Sequence, residues 1–485
     1  MRSLDLRARA AGSFLLLTMA CAPVMPQLAI KAAEMPQGFR TAAAAGPSTA
    51  RVPWREYFQD PRLVALIDEG LGANTDLAMA VQRIERARAT VTQTTGALFP
   101  KVDATLGMAV RKYGLYTMDG AGNATTDIAP GQLVPVNLGD FSLGLQASWE
   151  ADIWGKLSSE REAAHTRVLA SVEAAHAIQT SLVAEIANAW FDLQALDRVR
   201  EVLAQTIVRQ AEALRTVRIQ KEAGRASELA VQQFEAQLAE TRALEVETLQ
   251  QTRVVEAGLN VLLGRFPQPI ERAGELAFTP PPAVSAGLPS ELLENRPDVR
   301  QAELEVLAAK LELASARAAF FPSVNLAAGV GLQAFNPAYL VRVPESLAYS
   351  LVGGLVAPLV NRSAIEAQFQ GATAAQLEAM YGYQKAVLVA FADASTSLAS
   401  MKASDELVGF KRSQRAALDR SIETAELMFR AGKAGYLELL AVQQSALRAD
   451  LELVEAWRKQ RGAAVHVYRA LGGGWRDVTR DDKMG

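Results

Sequence analysis

Two kinds of apolar periodicity alternate along this chain. Over most of its length, apolar residues recur every three or four positions, which predicts amphipathic helices. Four shorter stretches alternate apolar and polar residues instead, and they begin near Val102, Phe141, Val324 and Leu347. A period of two predicts strands with one apolar and one polar face. The chain is therefore expected to combine helices with four strands.

The pattern occurs twice. The stretches 76–100 and 298–322 share a helical pattern and a final Phe-Pro, at an offset of 222 residues. The sequences around Gly224 and Gly432 match at an offset of 208 residues. Because the offset falls from 222 to 208, the first copy carries 14 extra residues, which we place in the loop 112–140. These matches predict a two-fold internal repeat.

A very long helical pattern follows each pair of strands. No proline interrupts 158–222 or 363–431. At ~1.5 Å per residue, each helix would extend ~100 Å, a length typical of coiled coils rather than globular domains. Gly224 and Gly432 are expected to end these helices in tight turns, and a return helix follows each turn.

The patterns divide the chain into six segments. They are a signal peptide at 1–20, an N-terminal lead and short helix at 21–72, a first repeat at 73–264 with a β-hairpin at 101–153, a linker at 265–295, a second repeat at 296–472 with a β-hairpin at 323–360, and a tail at 473–485. The segment 265–295 carries six prolines, so we expect it to be a linker rather than a core element.

Composition narrows the possible functions. Half of the residues are apolar but only 6% are aromatic, as in closely packed helices. A formal net charge of −3 gives no indication of the basic surface that binds nucleic acid. No apolar run reaches the ~18 residues of a membrane-spanning helix, so any membrane insertion is expected through strands or a lipid. No catalytic motif occurs and the three histidines are scattered, so the sequence predicts no enzyme, cofactor or metal site.

The N-terminus has the pattern of an export signal, with basic residues before an apolar stretch that ends at Ala20. The only cysteine, Cys21, follows Leu-Leu-Leu-Thr-Met-Ala, which resembles the cleavage box of an acylated lipoprotein. Thr18 departs from that box, because leucine is commonest there. The alternative is that Cys21 is lost with an ordinary signal, cleaved for instance after Ala32. One acyl chain alone binds membranes only marginally, so it would assist another anchor.

Strands of about ten residues have the length that crosses an outer membrane as part of a tilted barrel. Four strands cannot close a barrel, and hydrocarbon does not tolerate an open edge. Membrane-spanning strands would therefore have to be shared among chains. Two chains would give eight strands with a filled interior, and three would give twelve with room for a conduit. The alternative is a soluble periplasmic coiled-coil protein with a small sheet.

Several motifs carry a resemblance to a known family. They are W-R-E-Y-F-Q-D-P-R-L-V-A-L-I from Trp54, the two Phe-Pro junctions, S-W-E-A-D-I-W-G-K-L at 148–157, L-E-N-R-P-D-V-R-Q-A-E at 293–303, A-P-L-V-N-R at 357–362, and the two glycine turns. In their order and spacing they resemble the outer-membrane factor family of TolC-like channels, most closely its acylated drug-efflux branch. The resemblance extends from Trp54 to Trp475.

The resemblance implies an α+β membrane protein that forms a homotrimer. Four strands per chain would contribute to a twelve-stranded transmembrane β-barrel, and the antiparallel coiled coils would form a periplasmic α-barrel. The protein would lie in the outer membrane of a Gram-negative bacterium, anchored by a lipid at Cys21. It would passively conduct drugs or other small molecules from a periplasmic membrane-fusion adaptor and an inner-membrane pump, of the resistance-nodulation-division type. The alternatives are a type I secretion duct for polypeptides and a periplasmic coiled-coil adaptor.

The resemblance also assigns candidate site residues near the second glycine turn. It places an apolar constriction at Leu437 and a pore carboxylate at Glu438, while a second family carboxylate falls on Ala441. Phe429 stands where the family often has tyrosine, so a hydroxyl that could latch neighbouring helices is missing. Alternatively, Glu438 is a solvated carboxylate beside the turn and Leu437 belongs to a core seam.

The glycine turns are candidate contacts for the adaptor protein. The residues concerned are Gly224, Arg225 and Ser227 in the first turn, and Gly432, Lys433 and Tyr436 in the second. Ser227 is also expected to cap the return helix. The alternative is that these are simply residue types that favour turns.

Overall fold

A computed structural model describes residues 22–31, 34–40, 48–272, 284–358 and 362–476. The helices are α1 (Trp54–Tyr57), α2 (Pro61–Ala73), α3 (Thr75–Gly96), α4 (Met118–Thr125), α5 (Lys156–Glu222), α6 (Glu228–Leu262), α7 (Glu291–Asn295), α8 (Pro297–Ala318), α9 (Pro337–Leu340), α10 (Ser363–Arg430) and α11 (Tyr436–Ala470). The strands are β1 (Lys101–Arg111), β2 (Asp127–Ala129), β3 (Gln132–Leu133), β4 (Leu138–Ala151), β5 (Ser323–Ala334) and β6 (Leu347–Val356). The predicted signal peptide and Cys21 lie outside the described residues.

The chain divides into two compact units. The first contains Glu85–Val168 and Leu304–Tyr381, with the described residues before Lys31. The second contains Lys31–Ile84, Leu169–Glu303 and the described chain from Gly382 onward. Each unit takes segments from both copies of the repeat, so the repeats at 73–264 and 296–472 are interleaved.

A four-stranded antiparallel sheet dominates the first unit, in the order β1-β4-β5-β6. Side chains of residues paired across neighbouring strands point to the same face of the sheet. The strand register therefore assigns each residue to a face. One face is apolar on every strand: Val102, Ala104, Leu106, Met108, Val110, Phe141, Leu143, Leu145, Ala147, Trp149, Val324, Leu326, Ala328, Val330, Leu332, Leu347, Tyr349, Leu351 and Leu355. The other face is rich in Ser, Thr, Asn, Gln, charged residues and Gly. The alternation read from the sequence is confirmed.

Two glycines bring the central strands unusually close on the polar face. Gly144 and Gly331 are partners in the β4–β5 pair. A Cβ atom built on Gly144 would lie 2.7 Å from the carbonyl oxygen of Val330, and one on Gly331 would meet that of Leu143. The backbones of β4 and β5 therefore come close together on this face, which the absence of side chains at both glycines permits.

Long helices form the second unit, and they pack around a layer of aromatic residues. Trp54 and Tyr57 in α1 and Trp190 in α5 are buried, with Tyr468 of α11 stacked on Tyr57 at 4.1 Å between ring centroids. The Trp190 indole donates a hydrogen bond to Asp60, the residue that caps α2. This layer joins the N-terminal helices to the return helices of both hairpins.

Two details differ from the sequence expectation. The loop 112–140 contains α4, which the Thr117 hydroxyl caps, and the β2–β3 ladder, which turns at Gly131. Short polar stretches of this kind lack a periodicity long enough to detect. The linker 265–295 is also not outside the core, because its described residues Ile270, Val284 and Leu292 are buried against the helices.

Gly331→Ala is expected to destabilise the sheet, because the added methyl group would overlap the backbone of β4. Separating the strands should cost about 1–3 kcal/mol. The measurement is the midpoint temperature at which the strand signal in circular dichroism is lost. Gly354→Ala is the matched control, since a Cβ at Gly354 in β6 would have nothing within 4 Å. Equal midpoints for the two variants would contradict the close approach.

Candidate functional site

The apolar face of the sheet is exposed in the single chain. Leu106 retains 82% of its accessible surface and Leu351 retains 81%. Contiguous apolar surface of this extent marks a face that another medium or molecule covers. Strands β1 and β6 each have one neighbour in this sheet, so both sheet edges carry backbone groups without a ladder partner. The sheet is thus incomplete on one face and at both edges.

Both helical hairpins turn through the same hydrogen-bond motif. Gly224 and Gly432 adopt positive φ angles of 71° and 68°. The N–H groups of Arg225 and Lys433, the residues after these glycines, donate to carbonyl oxygens five positions earlier, at 2.7 and 2.8 Å. This is the Schellman arrangement, in which glycine supplies the left-handed conformation. The two copies of the repeat therefore share turn geometry as well as sequence.

Next to the turns, the two hairpins pack on each other through a buried cluster, here called the tip cluster. It consists of Leu214, Val217, Ala230, Val231, Phe234, Leu238, Ala425, Phe429 and Leu439. These residues come from α5, α6, α10 and α11, so the cluster holds the ends of both hairpins together. Burial of such side chains stabilises by about 1.5–3 kcal/mol each.

The three predicted gate residues lie close in sequence but differ in environment. Phe429 is buried in the tip cluster, whereas Leu437 is 56% exposed. Glu438 is exposed as well, and its carboxylate accepts the N–H of Gly435 at 2.8 Å, which caps the start of α11. Glu438 therefore has a structural role at the helix start and still presents its charge to solvent.

The predicted adaptor-contact residues divide in the same way. Gly224, Arg225, Gly432 and Lys433 are exposed at the turns. Ser227 is exposed too, and its hydroxyl accepts the N–H of Ala230, as predicted for a helix cap. Tyr436 is partly buried against the tip cluster. The turns thus offer a small exposed surface with two cationic side chains.

Buried glutamines interrupt the apolar seam near the tip cluster, and none of them is among the site residues predicted from the sequence. Gln210 in α5 and Gln237 in α6 are 1% and 4% exposed, and both polar atoms of each lack a hydrogen-bond partner among the described residues. Gln443 in α11 has an unpaired buried oxygen. Gln210 and Gln443 line a cavity of about 10 Å³ between three helices, about the volume of one water. Glutamines at seam positions were the signal that could have revealed this layer.

A polar groove of about 650 Å³ lies between α5, α10 and α11. Its polar lining comprises Asn188, Asp192, Asp393, Thr396, Ser397, Ser400, Ser404, Arg458, Lys459 and His466. Arg458 donates to Asp192 at 2.9 Å, so these charges are paired. Burial, and then the positive charge of Arg469, lowers the pKa of His466, which should be neutral at pH 7. The groove offers hydroxyl and amide groups with little unbalanced charge.

Comparison with known proteins identifies the family. A family model described as outer membrane efflux protein matches residues 66–265 and 288–473. The chain belongs to the outer membrane efflux protein family. The resemblance stated from the sequence motifs is thereby confirmed, and so is the combination of long helices with a four-stranded sheet.

Individual members of the outer membrane efflux protein family match over most of their length. The pyoverdine export outer membrane protein OpmQ of Pseudomonas aeruginosa is 31% identical over 428 residues, 87% of each chain. The probable efflux pump outer membrane protein TtgC of Pseudomonas putida is 30% identical, covering 92% of this chain and 91% of that protein. The crystal structure of the open state of the Neisseria gonorrhoeae MtrE outer membrane channel matches with a TM-score of 0.81 and 25% identity, covering 94% of this chain and 99% of MtrE.

None of the helices in the described ranges combines the length and the apolarity that a membrane crossing requires. No group of three or more His, Cys, Asp or Glu side chains in the described part of the chain is arranged to hold a metal ion.

Gln210→Leu is expected to stabilise this family member. Replacing two unpaired buried polar atoms with an apolar side chain of similar size removes a desolvation cost of about 1–3 kcal/mol. The measurement is the thermal midpoint of the helical circular dichroism signal. Gln205→Leu, at an exposed position of the same helix, is the control and should give no gain. A lower midpoint for Gln210→Leu would mean that the amide has a polar partner in solution.

Proposed function

We propose that this protein is the outer-membrane channel subunit of a tripartite efflux pump and conducts small molecules passively. The observation that carries the proposal is the sheet, with its continuous apolar face and two open edges. The family supports the same function, since its members include a pyoverdine export protein and a probable efflux pump protein.

The sheet supports a barrel that three chains share. In hydrocarbon every backbone polar group needs a partner, so the edge of β6 in one copy would pair with the edge of β1 in the next. Three copies would give twelve strands, and the close approach of β4 and β5 at Gly144 and Gly331 favours a barrel with the polar face inward. The apolar face then contacts lipid, and the polar face lines an aqueous passage.

The helical hairpins carry matching surfaces for the same trimer. Exposed apolar residues recur at Val246, Val254 and Val261 on α6, and at Leu388, Phe410 and Leu427 on α10. Spacings of eight and seven residues along α6 keep these side chains on one flank, as in a coiled-coil seam. Packing of the α6 flank of one copy on the α10 flank of the next would close a tube of helices, the periplasmic α-barrel of the proposal.

The end of the tube at the second turn would form the periplasmic entrance. Three copies of Leu437 would narrow it with apolar side chains, and three of Glu438 would form an acidic ring that attracts cations. Both side chains are exposed, as a pore lining requires. Phe429, being buried in the tip cluster, would support the entrance rather than line it.

The proposed partners are a periplasmic membrane-fusion adaptor at the exposed turns and an inner-membrane pump of the resistance-nodulation-division type. Arg225 and Lys433 give the turns a cationic surface for an adaptor with acidic residues. Acylation at Cys21, which lies outside the described residues, would add a lipid anchor. This assembly requires no chemistry from the chain, in keeping with a channel rather than an enzyme.

The oligomer and its conductance test the function directly. Outer membranes extracted with detergent should yield a trimer that contains both strand and helix, and that trimer should form pores in a planar bilayer. The strand signal should persist after extraction, because the edge strands hydrogen-bond to those of neighbouring copies only in the intact trimer. A soluble monomer or dimer without conductance would contradict the proposal and favour the periplasmic coiled-coil adaptor.

Variants at the entrance test the gate. Leu437→Ala should raise single-channel conductance, because it removes the apolar side chain that narrows the pore. Glu438→Gln should lower cation selectivity while its amide oxygen still caps Gly435. Glu438→Ala should lose the cap as well, at about 0.3–1.5 kcal/mol in stability. Unchanged conductance and selectivity in bilayer recordings would remove both residues from the gate.

A further inference from the structure

One end of the sheet carries an aromatic layer. Here β1 and β5 begin and β4 and β6 end, and we call this end the sheet base. The Trp149 indole donates to the carbonyl of Leu98 at 3.0 Å, and that of Trp154 donates to Pro322 at 2.7 Å. The Trp154 ring stacks on Phe321 at 5.0 Å. Aromatic side chains with a polar edge mark the level where hydrocarbon gives way to lipid headgroups.

Two arginines stand in this layer without an acidic partner among the described residues. The Arg317 guanidinium lies 5.9 Å from the ring centre of Phe321, and the Arg362 guanidinium lies 5.1 Å from that of Phe320. Neither forms an ion pair with an acidic side chain in the described part of the chain, whereas nearby Lys156 pairs with Glu150. Arg317 and Arg362 thus carry positive charges at the sheet base that no acidic side chain in the described residues neutralises.

Arg362 also has a buried donor. Its Nε atom is inaccessible to solvent and has no hydrogen-bond partner among the described residues. Because solvent does not reach Nε, an external acceptor can reach Arg362 only through its terminal nitrogens, and an anion there would offset the unpaired guanidinium charge. Arg317 uses its Nε to bind the carbonyl of Pro23 at 2.9 Å, which leaves its two terminal nitrogens for another acceptor.

We propose that Arg317 and Arg362 bind the phosphate groups of anionic phospholipids at the sheet base. The inference rests on the proposed function, because it needs the apolar face of the sheet to lie in a bilayer. Guanidinium groups bind phosphate through paired hydrogen bonds, and basic side chains next to apolar surface are typical sites for lipid headgroups.

The position of the N-terminal lead agrees with a lipid at this place. Pro23, which Arg317 holds, is two residues beyond Cys21. A headgroup at Arg317 would link the lead, the end of α8 and the bilayer in one contact.

The test is native mass spectrometry of the detergent-solubilised trimer with added phosphatidylglycerol or phosphatidylcholine. The intact trimer should retain phosphatidylglycerol in preference to phosphatidylcholine. The double variant Arg317→Gln/Arg362→Gln should lower that retention about tenfold, as expected when charge-assisted hydrogen bonds are lost. Inorganic phosphate at the same concentration should not displace the lipid, because it lacks the acyl chains that contact the apolar face.

Arg218→Gln is the matched control, because Arg218 is an arginine of the helical hairpin that already pairs with Glu235. It should leave lipid retention unchanged. Equal retention of both lipids, equal loss in the control, or displacement by phosphate would overturn the inference. Arg317→Lys/Arg362→Lys, which keeps the charge, covers the case in which the glutamine variant fails to fold, and should retain an intermediate amount. A trimer that conducts but shows no lipid preference would sink the lipid site alone, whereas absence of a trimer would count against the proposed function.

Discussion

The open edge of a β-sheet carries a row of backbone N–H and C=O groups that hydrocarbon cannot satisfy. This constraint governs the whole chain, because its sheet has an apolar face and an open edge on both β1 and β6. Water would satisfy the edges but not the face, and lipid would cover the face but not the edges. In the proposed channel, pairing with further copies within a bilayer would satisfy both. The same holds for the helical hairpins, whose exposed apolar flanks also need a neighbour.

In the proposed barrel, curvature would decide how many copies complete the sheet and which face lies inside. A flat sheet of twelve strands would still have two edges, so closure depends on bending. Gly144 and Gly331 bring β4 and β5 close together at the centre of the sheet and on its polar side, where any side chain would force the strands apart. Face polarity is consistent on β1, β4 and β5, whereas β6 also places Val352 and Val356 on the polar face. Consistency between local and global features is expected of a sequence that specifies one structure.

Sequence periodicity was sufficient for the long elements and insufficient for the short ones. The helices α5 and α10 and the four main strands follow from patterns sustained over ten or more residues, and the glycine turns follow from the repeat. The helix α4 and the burial of Ile270 and Leu292 could not be inferred, because a few residues carry no period and burial depends on distant partners. The family resemblance located Leu437 and Glu438, but not that Glu438 caps α11. Glutamines at seam positions could have indicated a polar layer from the sequence, but the absence of hydrogen-bond partners for Gln210 and Gln237 among the described residues shows only once the helices are packed.

The first turn of α11 has one buried side and one exposed side. Leu439 fixes one side of this turn in the tip cluster, while Leu437 and Glu438 stay exposed on the other. In the proposed channel, movement of these exposed residues would disturb the Gly435 cap and the tip cluster, because Leu439 lies in that cluster. The unpaired amides of Gln210 and Gln443 would gain hydration if the helices separated. We therefore expect the proposed entrance to open by displacement of the hairpin ends, with the change in packing at these two glutamines.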